Sequence, residues 1–417
     1  MNDYVNERRF KNSVVSGLAS VAFIIVFVSI AWPIWSTLFK KLIMMIAGAG
    51  LVGIDEHLVG HYVKDVVEGS YFWLVINSWV WFTLIFGNYG KYKKTNKQPQ
   101  AGFRYLLMAF GAGILGFVVF TGFLGTWWKP FSWAILFTPK TPEEVELAIK
   151  GWGCTNFYAL TIIITQLPFV SIFHKFPFAK NIKEPWVGFG TMAISTAATL
   201  LVWFAIFVPS YFKFTLDGVL MVEQPFGTYT AFLAWCQCFV FLFLFPAEGG
   251  ENFPMKLFAK KQPYMGFVGI AIAYVGSFIL LGGLRIILAG LAESMGMGIN
   301  LVVASFALTL VCTLLTWHHV FFDFPGTDLV ASSGKRALIR LAIVFVVGSV
   351  VGVIWLKTYT MLPFAGNNFG MGYPMLGILA GQFVYLAPLL IFNTYFDKCP
   401  IGFTQRKKEE ESVKAEL

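Results

Sequence analysis

Three groups of residues in this chain have the types and spacing that chemistry requires. His57, His61 and Asp65 stand at i, i+4 and i+8. On a helix they share one face, roughly 6 Å apart per turn. Imidazole and carboxylate together suit a divalent metal, and Asp55, Glu56 and Glu68 are close enough in sequence to add oxygen ligands. One helix rarely supplies all the ligands a metal needs, so an amphipathic helix with a solvated polar face is the competing expectation.

The second group is His174, His318 and His319. Two histidines at matched depth on two helices could act as the axial pair of a haem. In the internal alignment given below, His174 falls opposite Phe322, which leaves His319 about one turn (~4.5 Å) deeper. A divalent metal is therefore the first cofactor to expect and haem the lesser one.

The third group is organised on Arg285, which follows Gly282-Gly283 inside an apolar run. An ionisable residue in such a place is a functional candidate, because burying it without a partner is costly. The glycines are expected to break the helix and to let the guanidinium attract an anion. Snorkelling to the headgroups is the alternative. Gln166, a rare polar group in mid-run, together with Trp317 and His318, completes the expected solute-contact set with Arg285.

These residues need elements to position them, and composition says which kind. With 57% apolar, 18% aromatic and only 13% charged residues, the chain does not read as a soluble globular domain. Apolar runs of about 20 residues can each cross a bilayer. Ten are expected, at 14–35, 71–89, 105–127, 157–173, 186–208, 229–245, 264–292, 301–322, 341–355 and 374–392. The first is too long for the apolar core of a signal peptide and is read as a retained helix. Residues 36–70 are expected to be irregular at first and helical in their second half. Thr141-Pro142-Glu143-Glu144 carries the signature of a capped surface helix.

With ten crossings, 22 of the 31 Lys and Arg residues fall on the side of the termini. The positive-inside rule then places both termini in the cytoplasm of a multi-pass cell-membrane protein. Because the basic residues sit in short loops, the net charge of +9 reflects orientation and not nucleic-acid binding. The five cysteines have no disulfide or zinc spacing and read as small buried residues.

Phe306-Ala307-Leu308-Thr309 through Pro325 repeats Tyr158-Ala159-Leu160-Thr161 through Pro177 without a gap, 148 positions earlier. The two copies lie in spans four and eight, which run in the same direction. The expected fold is thus an all-α polytopic membrane protein with a parallel four-helix repeat, spans three to six and seven to ten, plus an N-terminal hairpin. The corresponding units are 1–104, 105–263, 264–396 and a charged tail at 397–417. Leu84-Ile85-Phe86 and Leu390-Ile391-Phe392 give the hairpin a faint echo of the last span.

No Asp or Glu falls near the middle of a span, so a central carboxylate relay is not expected. No catalytic triad, phosphate loop or HExxH helix is seen either. The first functional expectation is a transporter or permease for a small solute, an organic anion if Arg285 binds it. A redox or metal-dependent membrane enzyme, or a subunit of one, is second. A non-catalytic anchor or assembly protein is third. The expected partners are the lipid bilayer, a small-molecule solute, and a second copy or partner subunit, with no nucleic acid.

Overall fold

The structure, a computed structural model, describes residues 4–208, 215–216, 219–220, 229–365 and 374–407. The Gly- and Asn-rich loop at 366–372 and residues 408–417 of the charged tail lie outside the described residues. Among the described residues, ten long helical stretches follow one another. They are α1 (Ser13–Ala47), α2 (Glu56–Tyr71, continued by π-helical Phe72–Asn77 and Val80–Ile85), α3 (Gln100–Gly125), α4 (Pro142–Ser171) and α5 (Trp186–Val202, continued by π-helical Trp203–Phe207). Then come α6 (Tyr229–Glu248), α7 (Tyr264–Ser294), α8 (Ile299–Val320), α9 (Ser333–Thr358) and α10 (Pro374–Thr394). Nine helices among the described residues are long and apolar enough to cross a membrane. The α2 stretch, which carries Asp65, Glu68 and Asn77, is the one outside that group. The chain is a predominantly helical, multi-pass membrane protein.

Three local expectations need correction. Helix α1 does not end near Trp35 but runs through Pro33 to Ala47, so only a short connection precedes α2. Pro33 is carried inside the helix, and the Ser36 hydroxyl donates to the Pro33 carbonyl at 3.2 Å. The capped helix at Thr141 is the first turns of α4 and not a separate element; the Thr141 hydroxyl accepts from the Glu144 N–H at 3.3 Å. Helix α7 continues unbroken through Gly282-Gly283.

The helices pair into five successive hairpins, and each hairpin ends in the same turn. Two consecutive residues adopt positive φ: Gly87-Asn88, His174-Lys175, Glu251-Asn252, Phe322-Asp323 and Asp397-Lys398. In every case the N–H of the second residue donates to the carbonyl six positions back: Phe82, Phe169, Pro246, Trp317 and Phe392. That bond closes the helix C-terminus and satisfies a carbonyl that the helix leaves open.

The ring just before each turn locks the hairpins together. A Cβ built on Gly188 would lie 2.4 Å from the Phe86 ring, one on Gly266 2.3 Å from Phe173, one on Gly17 2.5 Å from Phe321 and one on Gly102 2.5 Å from Phe396. Each turn therefore docks on the first helix of the hairpin after next, and the last two turns wrap back onto the first two hairpins. In the remaining case Gly250 stands in place of phenylalanine, and Phe253 approaches Gly334 instead. The result is a closed circle of five hairpins. The ring-on-glycine contact recurs from hairpin to hairpin, the first included.

Second helices lie inside this circle and first helices outside. The apolar windows of α6 and α8 are 83% buried, against 28% or less for α1, α3, α5, α7 and α9. The outer helices turn Ile and Phe side chains such as Ile279, Ile286 and Phe267 outward, as lipid contact requires. Strands Tyr4–Arg8 and Phe403–Lys407 pair antiparallel, so the two ends of the described chain meet on one face, beside the turns. Arg8 and Lys398 both stack on the Phe322 ring there, at 4.4 and 4.0 Å from its centroid.

Candidate functional site

Counting back from the second residue of each turn gives the register of the inner helices. Four positions back stand Leu84, Ser171, Glu248, His319 and Thr394. Eight back stand Val80, Leu167, Leu244, Leu315 and Leu390. Twelve back stand Ile76, Ile163, Val240, Val311 and Leu386. All of these except Ser171 line one cavity of about 140 Å³ on the axis of the molecule. Helical periodicity explains the pattern, because steps of four and three residues keep a side chain on one face. The cavity thus has two complete rings of five branched apolar residues, about 6 Å apart along the axis by helix rise, and one polar layer at the turn end.

At the turn end, which we call the inner mouth, Glu248 Oε2 lies 2.9 Å from His318 Nε2, and His318 Nδ1 lies 2.8 Å from Asp323 Oδ2. His319 Nδ1 is 2.7 Å from the Asn393 amide. Trp79 Nε1 donates to Thr394 Oγ1 at 2.9 Å. Just outside, Lys91 Nζ contacts Asp397 at 2.6 Å, and the Arg336 guanidinium is held bidentate by Glu251 at 2.7 Å. These pairs fix three of the turns that carry the inner helices.

The opposite end opens into a second cavity of about 110 Å³, lined by Lys64, Asp65, Glu68, Asn156, Gln237 and Phe383 among others. Lys64 Nζ lies 3.8 Å from Asp65 and 3.9 Å from Glu68. Burial raises the Asp65 carboxyl above the usual carboxylate range, against the pull of Lys64. Asn156 donates to the Asp65 carbonyl at 3.0 Å, and its Oδ1 is buried without a protein partner. Gln237 and Phe383 line both cavities and stand between them.

The expected site residues are scattered by comparison. Arg285 lies on outer helix α7, and its Nε and Nη2 donate to Asn300 Oδ1 at 3.0 and 2.7 Å. With the helix intact at Gly282-Gly283, the backbone opening that would have placed it on a solute cavity does not exist. Gln166 is fully buried between helices; it accepts from Trp81 Nε1 at 3.1 Å and donates to Thr199. Trp317 stacks on Phe321 and faces a groove between α1, α8 and α9.

His57 and His61 do neighbour each other, with ring centroids 4.8 Å apart, whereas Asp65 faces the axial vestibule. Among the described residues, the group that brings three metal-donor atoms within 4.8 Å of one another is Glu248, His318 and His319. His174 is exposed in its turn and is not part of that group. The residue of α4 equivalent to His319 is Ser171, so the haem pairing has no matched depth. Glu248 escaped notice in the sequence because it sits at a helix end before Gly249-Gly250. Its signal is its position, four residues before the turn, shared with His319 and Thr394.

The fold and these contacts define a class, a polytopic, predominantly helical membrane protein built around an axial cavity. No protein-family model, curated protein or solved structure matches the chain.

Proposed function

We propose that this protein is a membrane permease that passes a small solute along the axis of its five inner helices. One observation carries the reading: the axial cavity is lined by all five inner helices in stacked layers, with polar groups at both ends. The two apolar rings form a hydrophobic constriction of the kind that gates by excluding water, and the arrangement described is its closed form. A cavity of about 140 Å³ holds a handful of waters or a solute of a few heavy atoms.

Carboxylates stand at both mouths, Asp65 and Glu68 at one and Glu248 at the other. With Lys64 beside Asp65 and Glu68, what the two mouths offer a solute is mainly carboxyl oxygens, which suit a small cation or a neutral solute better than the organic anion expected from Arg285. Purified protein in liposomes tests this with three labelled probes: methylammonium, glycerol and acetate. Uptake of the first or second above protein-free vesicles is expected. Acetate alone crossing would reverse the charge assignment, and no probe crossing would remove the permease reading.

The proposal includes ten crossings, with the turns and both termini cytoplasmic. Its support is the basic-residue bias together with the pairing of the terminal strands. An impermeant thiol reagent should label Lys94→Cys only from the cytoplasmic side and Glu144→Cys only from the opposite side. Labelling of both from one side would overturn the topology.

A further inference from the structure

We propose that Glu248, His318 and His319 form a binding site for a divalent transition-metal ion of the Zn²⁺ type at the inner mouth of the axial cavity. Their donor atoms already lie within 4.8 Å of one another. Ligands about 2.0–2.1 Å from a tetrahedral zinc are roughly 3.4 Å apart, so the Glu248–His318 contact of 2.9 Å needs to open only slightly. Two imidazoles and one carboxylate are a donor set of zinc sites that keep a fourth position open. Here that position faces the cavity, which Glu248 and His319 line.

The surrounding groups carry the inference further. Both imidazoles are held through Nδ1, His318 by Asp323 at 2.8 Å and His319 by Asn393 at 2.7 Å. The Nε2 of His318 then points to Glu248. A carboxylate or amide oxygen behind a ligating histidine fixes its ring and its tautomer. A half-turn of the Asn393 amide presents Oδ1 to the ring, which accepts the Nδ1 proton and leaves the Nε2 lone pair for the metal. The three ligands come from the C-terminal ends of two inner helices, α6 and α8, and both ends are fixed by the turns described above. This is the rigid support that a metal site requires. An ion held there stands in the polar layer next to the apolar rings.

The test is titration of the full-length protein in detergent with Co²⁺, read by its visible absorption, followed by displacement with Zn²⁺ and metal analysis for stoichiometry. One equivalent is expected. His319→Ala and Glu248→Gln should each weaken binding at least tenfold. Asp323→Asn, which keeps the size of the side chain and weakens its hold on His318, should weaken it about tenfold. The double variant His57→Ala/His61→Ala should bind as the wild type does. Should Glu248→Gln fail to fold, Glu248→Asp, which keeps the charge and withdraws the oxygen, should still weaken binding. Absence of one-equivalent binding, or unchanged affinity in folded His319→Ala and glutamate variants, would overturn the site. Loss of binding in the His57/His61 variant would move the metal to α2. The readout is the spectrum of the metal itself, so a failed uptake assay leaves this result intact.

Discussion

Phe383→Ala is expected to raise probe uptake into liposomes at least tenfold over the wild type. Phe383 stands in the layer of Gln237 and lines both the axial cavity and the outer vestibule. Its ring meets Phe72 edge-on at 6.0 Å, so it is held in place from α2. Truncation to a methyl group joins the two cavities and removes the bulkiest group between them. The two Leu/Ile/Val rings remain below it, so the variant should leak without losing all selectivity. Deleting a large core side chain costs up to about 3–5 kcal/mol; Phe383 is only partly buried, and the loss should stay below that. Phe383→Leu keeps an apolar plug and should change uptake only slightly. Equal uptake by the wild type and a folded Phe383→Ala protein would falsify an axial route.

Gly266→Ala should destabilise the protein by about 1–3 kcal/mol, the range for forcing an extra group into a packed contact. The added Cβ would lie 2.3 Å from the Phe173 ring, far inside van der Waals contact, and that ring closes one link of the five-hairpin circle. Gly283→Ala on the same helix is the control. Nothing lies within 4 Å of its Cβ position, so helix propensity alone should make that change neutral or stabilising by up to about 1 kcal/mol. Adding Phe173→Ala to Gly266→Ala should cost less than the two single changes together, because the clash is gone. Thermal unfolding in detergent reads all four proteins. Additive losses would mean that Phe173 and Gly266 are not in contact.

The membrane class was legible in the sequence because hydropathy is a local property: about 20 apolar residues in a row can cross a bilayer whatever their neighbours do. The match between Tyr158–Pro177 and Phe306–Pro325 was also legible, and its register holds, since Lys175 and Asp323 occupy the same turn position. The echo in the first hairpin was set one helical turn off; the turns pair Phe86 with Phe396, not with Phe392. One turn of slip leaves an apolar pattern almost unchanged, which is why sequence alone did not correct it.

What the tertiary structure decided was which helices lie inside and which residues meet. Outer α7 and inner α8 are almost equally apolar, with mean hydropathies of 2.2 and 2.1, because lipid and protein interior are alike in polarity. Nothing in the composition of α7 and α8 separates the lipid-facing helix from the axial one. The break at Gly282-Gly283 failed for a related reason: on an outward face a glycine has no packing to lose, and the helix continues. Glu248 and His318 are 70 positions apart in the chain and share no local signal. They touch because two turns of one kind hold α6 and α8 at the same depth, and only the closed circle of hairpins sets that depth.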